Sequence, residues 1–83
     1  SAAHEPFPNY EVPVPKGSPC IGQSIGALKF WQSTGGTIVA IRRGQTVILS
    51  PGPYAELYAG DVIVLVGSST AAEAANRLVT VKE

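Results

Sequence analysis

The 83-residue sequence contains no methionine, one cysteine, one histidine and one tryptophan. Only 14% of its residues are charged, and six basic and six acidic side chains cancel to a net charge of zero. A lone cysteine excludes an intrachain disulfide, so no residue marks an oxidising compartment. The absence of a basic surplus argues against a dedicated nucleic-acid-binding domain. From the missing methionine we expect a piece of a longer or processed chain.

Long apolar runs are also absent. The longest run, Val62–Val66, has the length of a strand, whereas crossing a bilayer takes roughly 20 residues. With 45% hydrophobic residues the chain is too apolar for disorder, and its length allows one small domain. We expect the proline-rich residues 1–9 to form a tail or linker and residues 10–83 to form the domain.

Hydrophobic periodicity and turn residues predict the order β-α-β-β-β-α, which belongs to the α+β class. The predicted elements are a strand over 10–15, a helix after Ser24, strands over 37–43, 46–49 and 62–66, and a helix from Thr70 to about Leu78. The first strand carries two prolines and is therefore expected either at a sheet edge or as an extended segment that leads into the sheet. Residues 54–58 are predicted to add one helical turn.

Cap residues predict where the two helices begin and end. Ser24 is expected to cap the first helix, and Gly35 and Gly36 are expected to end it. Thr70 and Glu73 form a capping-box pattern at the start of the second helix. The narrow apolar face predicted for that helix consists of Ala71, Ala74, Ala75 and Leu78.

Both faces of the predicted sheet are apolar. Successive side chains of a strand point to opposite faces, so Val62, Val64 and Val66 share one face while Ile63 and Leu65 share the other. Two short helices cover only one face, and an apolar sheet needs cover on both. We therefore expect helices on one face and a symmetric homodimer through the other.

Catalytic and metal-binding chemistry finds little support in the sequence. His4 and Cys20 each stand alone, so neither a zinc site nor a nucleophilic triad can be assembled around them. The carboxylates form no local pair suited to acid–base catalysis, and Asp61 is interpreted as a turn residue. Cys20 is interpreted as a small, partly buried hydrophobe. We expect no enzymatic activity, no metal and no cofactor.

Two adjacent arginines remain as candidates for ligand binding. Arg42 and Arg43 end one strand of the predicted hairpin, and Ser50-Pro51 follows the partner strand. Neighbouring strand residues point to opposite faces, so only one arginine lines a given groove. In a two-fold dimer, one guanidinium from each subunit would suit a symmetric bis-phosphate ligand. The alternative is that both arginines are solvated charges at the end of the hairpin.

Four segments occur in an order that is more distinctive than any one of them. They are a glycine-led short helix over 22–28, a strand that ends Ala-Ile-Arg-Arg-Gly at residue 44, the turn Ser-Pro-Gly-Pro over 50–53, and a Gly-Asp pair before the apolar strand in 57–67. This ordered set, within residues 10–79, resembles the TrkA-C domain, also called the RCK C-terminal domain.

The resemblance implies a homodimeric regulatory module on the cytoplasmic side of the membrane, and not an enzyme. It would serve a potassium channel, a potassium transporter or a cation/proton antiporter, whose membrane-embedded part would be its partner. In some relatives the dimer groove binds cyclic di-AMP, so the resemblance implies this or another nucleotide as ligand. No nucleic acid partner is expected, because the net charge is zero. The implied ligand contacts are Ile38, Val39, Ile41, Arg42, Arg43, Leu49, Ser50 and Pro51.

Ser50 departs from the family pattern, in which asparagine often precedes the proline. Asparagine offers a base edge both a donor and an acceptor, and serine offers less. Two alternatives to ligand sensing follow from the residues. One is a purely structural dimerisation module, and the other is a small enzyme that uses Cys20 or Asp61.

Overall fold

The computed structural model describes residues 8–82. Its elements are β1 (Asn9–Pro13), α1 (Ile25–Leu28), α2 (Phe30–Thr34), β2 (Thr37–Arg43), β3 (Thr46–Leu49), β4 (Val62–Val66) and α3 (Ser69–Val79). The predicted order is confirmed, except that the first helix is split in two. Residues 1–7 of the predicted tail lie outside the described part of the chain, and Asn9 already belongs to β1.

The four strands form one antiparallel sheet in the order β1-β4-β2-β3. The strand that ends at Pro13, β1, lies at one edge as predicted, because proline has no N–H for a second ladder. The most apolar strand, β4, lies inside the sheet between β1 and β2. Within residues 8–82, no helix has the length and hydropathy needed to span a membrane.

The hydrophobic core lies between one sheet face and the helices. Its buried members include Val12, Ile41, Ile63 and Leu65 from the sheet and Phe30, Ala75 and Val79 from the helices. Burial of one such branched or aromatic side chain contributes about 1.5–3 kcal/mol. The predicted placement of the helices on one face is therefore confirmed.

The opposite sheet face is apolar and accessible. Its central row runs across the sheet from Glu11 through Val64 and Ala40 to Leu49. Leu49 is 74% exposed and Val47, in the next row, is 52% exposed. We name the surface formed by Val62, Val64, Val66, Ala40, Val47 and Leu49 the open face.

The first helix is interrupted where the sequence predicted continuity. Ser24 caps α1 as predicted, since its hydroxyl accepts a hydrogen bond from Ala27 N–H at 3.0 Å. Lys29 then adopts a left-handed conformation with φ of 49°, and this turns Phe30 into the core, where it is 2% exposed. Gly35, with φ of 79°, ends α2 as predicted.

The last helix begins earlier than predicted. Its cap is Ser68, whose hydroxyl accepts a hydrogen bond from Ala71 N–H, so the prediction that Thr70 is the cap was wrong. The buried residues are Ala71, Ala72, Ala75 and Val79, so the buried face is rotated from the predicted one.

The helical turn predicted over 54–58 was also wrong. Tyr54 lies in a turn, and the residues after it bridge to the chain before α1 through Ile21–Leu57 and Ser24–Glu56. This path allows Leu57 to reach the core, where it is fully buried.

Candidate ligand-binding site

The two arginines at the end of β2 lie on opposite sheet faces, as predicted. Arg43 lies on the helix-covered side, where Nε and Nη2 each donate a 2.9 Å hydrogen bond to the carboxylate of Asp61. Its Nη2 also donates to the carbonyl oxygen of Glu56 at 3.0 Å. The guanidinium carbon lies 4.1 Å from the ring centroid of Tyr58. Arg43 is therefore held by several partners and is not simply a solvated charge.

Asp61 is the buried partner in this arrangement. Its side chain is fully buried and also accepts a 2.9 Å hydrogen bond from Tyr58 N–H. Burial by itself would raise the pKa of the Asp61 carboxyl, but the hydrogen bonds from Arg43 and Tyr58 and the charge of Arg43 outweigh it and lower the pKa. The interpretation of Asp61 as a turn residue therefore missed its main contact.

Arg42 lies on the side of the open face and makes a two-point ion pair with Glu11. Its Nη1 donates to Oε2 of Glu11, and its Nη2 donates to Oε1 at 2.9 Å. The hydrogen bond to Arg42 lowers the pKa of Glu11. The Arg42 side chain is 42% exposed, and exposed ion pairs are held weakly. An arriving anion can therefore compete with Glu11 for this guanidinium.

Five of the predicted contact residues come together where β2 begins and β3 ends. They are Ile38, Val39, Leu49, Ser50 and Pro51. The pairing of β2 with β4 shifts register between Ile38 and Ala40, and Val39 at this bulge is 37% exposed. Ser50 has a left-handed φ of 48°, and its N–H donates to Val39 C=O at 2.9 Å. This link turns the chain toward Pro51.

The remaining predicted contacts are placed differently. Arg42 and Arg43 lie at the far end of the same β2–β3 hairpin, next to its turn. Ile41 is fully buried in the core, because its strand position alternates with that of Ala40 on the open face. Ile41 therefore offers no exposed surface to a ligand in this subunit.

A cavity of about 350 Å³ lies beside the first residues of β2. It is lined by Ile25, Phe30, Trp31, Gly36, Thr37, Ile38, Pro51 and Pro53. Two of these, Ile38 and Pro51, belong to the contact set predicted from the sequence. The lining contains no charged side chain, so the cavity suits an apolar or neutral group.

Main-chain hydrogen bonds fix the wall of this cavity. Gly26 N–H donates to Pro53 C=O at 2.8 Å, and Ile25 N–H donates to Ala55 C=O at 2.9 Å. A Cβ on residue 26 would lie 3.0 Å from the Pro53 oxygen and 3.1 Å from the Pro53 Cβ. Glycine at this position therefore permits the close approach of the proline turn to α1.

Cys20 is buried, as predicted, and lies outside this cavity. Its thiol donates to Leu78 C=O at 3.3 Å, and burial raises the thiol pKa, which disfavours the reactive thiolate. Among residues 8–82, no three histidine, cysteine or acidic side chains come together as a group that could hold a metal ion.

The fold and the site together define a small α+β domain with one helix-covered sheet face, one open face and an apolar cavity beside the sheet. The family model for the TrkA-C domain matches residues 9–80. The chain therefore belongs to the TrkA-C, or RCK_C, family of regulatory domains. The comparison with curated proteins found no match.

Solved structures of this family resemble the chain closely. The RCK_C domain dimer of Streptococcus agalactiae BusR in complex with c-di-AMP is 38% identical with a TM-score of 0.80, over 84% of this chain and 92% of that one. The RCK C domain of the potassium transport protein KtrA, in complex with c-di-AMP, is 28% identical with a TM-score of 0.77, over 86% of this chain and 81% of that one.

A longer relative is S. agalactiae BusR in complex with its busAB-promotor DNA. It is 37% identical with a TM-score of 0.81, and the match covers 90% of this chain. The present chain spans only 38% of that protein.

Proposed function

We propose that the chain is a ligand-sensing domain that binds cyclic di-AMP as a homodimer. The observation that carries this proposal is the convergence of Ile38, Val39, Leu49, Ser50 and Pro51 at one end of the β2–β3 hairpin. The identity of 38% to an RCK_C dimer in complex with c-di-AMP supports the choice of ligand.

The open face is the proposed subunit contact. Leu49 and Val47 are more than half exposed there, and Val62, Val64 and Val66 extend the apolar surface across β4. A second copy of the chain offers the same apolar surface, so a two-fold contact buries both at once. Leu49 links this contact to the ligand site, because it directly precedes Ser50.

The predicted contact residues divide into two roles. Ile38, Val39, Leu49, Ser50 and Pro51 would contact the bases and riboses through apolar surface, the Ser50 hydroxyl and the main chain. Arg42 would bind a phosphate in place of Glu11, since its guanidinium is exposed and offers two parallel donors. Arg43 lies on the opposite sheet face, where Asp61 holds it, so it would stabilise this end of the hairpin and not bind the same phosphate as Arg42.

Regulation would follow from differential binding. A ligand shifts the arrangement of two subunits only if it binds one arrangement better. If the ligand binds one subunit arrangement ten times more tightly than the other, it shifts the equilibrium between the two arrangements by about 1.4 kcal/mol, and an attached partner would feel that shift. We propose a membrane-embedded cation channel or transporter as that partner, with this domain on the cytoplasmic side, and the likeness to KtrA supports it.

We expect no nucleic acid partner for this chain itself. Its net charge is zero, and domains that bind DNA usually carry a basic surplus. S. agalactiae BusR, of which this chain spans 38%, is in complex with its busAB-promotor DNA, and this likeness supports DNA binding by a longer protein as a second class of regulated output. A purely structural dimerisation module remains the alternative without ligand.

Calorimetric titration of the chain with cyclic di-AMP tests the proposal. We expect saturable heat that weakens in Arg42→Ala, while the exposed Lys16→Ala, which also removes one positive charge, leaves binding unchanged. A stable dimer that yields no heat at any accessible ligand concentration would remove cyclic di-AMP and leave the structural module.

A further inference from the structure

Trp31 is the only tryptophan of the chain, and it is 65% exposed. Its neighbour Phe30 is 2% exposed and anchors α2 in the core. The left-handed Lys29 begins this short helix, and Gly35 N–H ends it by donating to Trp31 C=O at 2.7 Å. The main chain that carries the indole is therefore held at both ends, before any ligand arrives.

The indole forms one wall of the cavity beside β2, and the proline turn forms another. Pro51 and Pro53 line the cavity together with Ile38. The turn is fastened by the Ser50–Val39 hydrogen bond on one side and by the Gly26–Pro53 hydrogen bond on the other. The result is an apolar slot with an aromatic wall and fixed sides.

The chemistry of the slot favours a flat, neutral ring over a phosphate. None of its lining residues is charged, whereas the exposed guanidinium of Arg42 lies at the far end of the same hairpin. Thr37 is the polar side chain in the lining, and its hydroxyl can donate to or accept from a base edge. A volume of about 350 Å³ lies within the range of pockets that enclose small ligands.

We propose that Trp31 stacks on one adenine base of the bound cyclic dinucleotide. This inference rests on the proposed function and adds a specificity-determining residue to it. Stacking on an exposed indole also accounts for an apolar surface that would otherwise remain in water. The phosphates would then lie toward Arg42, outside the slot.

The test uses the 83-residue chain and its own tryptophan fluorescence, alongside calorimetry with cyclic di-AMP. We expect saturable quenching of Trp31 emission at the concentrations that give heat. Trp31→Leu should weaken binding about 5- to 150-fold, the range that removal of one stacked aromatic produces. Trp31→Phe should keep most of the affinity, because a ring remains.

Tyr54→Leu is the matched control, since Tyr54 is 92% exposed and does not line the slot. Its affinity should equal that of the wild type. Thermal unfolding shows whether Trp31→Leu is folded. If it is not folded, the presence or absence of ligand-induced quenching in the wild type decides, because that measurement needs no variant.

The outcomes separate the two proposals. Heat without quenching, or unchanged affinity in a folded Trp31→Leu, overturns the stacking and leaves the proposed function intact. Trp31 emission that changes when the protein is diluted, and does not change when ligand is added, also overturns the stacking, because Trp31 would then belong to a subunit contact. Absence of both heat and quenching in the wild type removes cyclic di-AMP as the ligand and the stacking with it.

Discussion

Arg43 and Asp61 join the hairpin of the candidate site to the start of β4. Two hydrogen bonds of 2.9 Å run from the guanidinium to the two carboxylate oxygens. The Asp61 side chain has no exposed surface, whereas that of Arg43 is 35% exposed. Because one partner is wholly buried, the pair couples the position of β2 to the stability of the core.

Arg43→Ala should lower the free energy of unfolding by about 3 kcal/mol. Removing one partner of a buried pair costs roughly 3–5 kcal/mol, and the partial exposure of Arg43 places the loss at the low end. The stability of Arg43→Lys should lie between that of Arg43→Ala and that of the wild type, because lysine keeps the charge and loses the planar, two-point guanidinium. Denaturant unfolding measures this, with Lys16→Ala as control. An Arg43→Ala variant as stable as that control would contradict the account.

Acid should weaken the fold through Asp61. Its pKa is lowered in the folded chain, so its stabilising contribution is fully present above the unfolded value of about 3.9 and is lost as pH falls through the lower, folded value. Asp61→Asn should be less stable at pH 7 and should lose less stability below about pH 4. Unfolding followed from pH 7 to pH 2 checks this. Equal acid sensitivity in wild type and Asp61→Asn would be inconsistent with it.

Glu11→Gln should strengthen binding of cyclic di-AMP. Glu11 neutralises the guanidinium of Arg42 through two hydrogen bonds, so its carboxylate competes with a phosphate for the same donors. Calorimetry should show tighter binding for Glu11→Gln and binding about tenfold or more weaker for Arg42→Ala. Glu73→Gln removes an exposed carboxylate elsewhere and is the control. Weaker binding in Glu11→Gln would mean that Arg42 does not contact the phosphate.

Ser50→Asn should raise both stability and affinity. Ser50 holds a left-handed backbone conformation with φ of 48°, which costs most L-residues roughly 1–2 kcal/mol and which asparagine adopts more readily. Asparagine also adds a donor and an acceptor for a base edge. We expect a gain of about 0.5 kcal/mol in unfolding free energy and tighter cyclic di-AMP binding. Ser50→Ala, which lacks both advantages, should show neither gain.

The strands were predictable from sequence because their signals are local. Alternation and β-branched residues placed β2, β3 and β4, and prolines placed β1 at the edge. The break at Lys29 was not predictable in this way, since it depends on the fit of Phe30 into a core formed by distant residues. The cap at Ser68 was missed because Thr70 satisfied the same local pattern.

The site was predictable only in part. The ordered motifs indicated the hairpin and the proline turn, and the apolar alternation indicated the open face. The Arg43–Asp61 pair was not predicted, because it joins residues 18 positions apart in the sequence. The sequence feature that could have indicated it is the Gly-Asp pair before an apolar strand. The proposed stacking role of Trp31 was not predicted either, because it depends on the break in the helix at Lys29. Ile41 was assigned to the ligand although strand alternation places it in the core.

The stoichiometry of cyclic di-AMP binding tests the central claim most directly. Calorimetry should be performed on the wild type and on Val64→Lys, with sedimentation of the same samples. Val64 lies on the inner strand β4 in the central row of the open face and is not one of the proposed ligand contacts, so the lysine tests the subunit contact alone. We predict one ligand per two wild-type chains in a dimer, and a monomeric Val64→Lys with greatly weakened binding. Binding of one ligand per chain with unchanged affinity in the monomeric variant would contradict it.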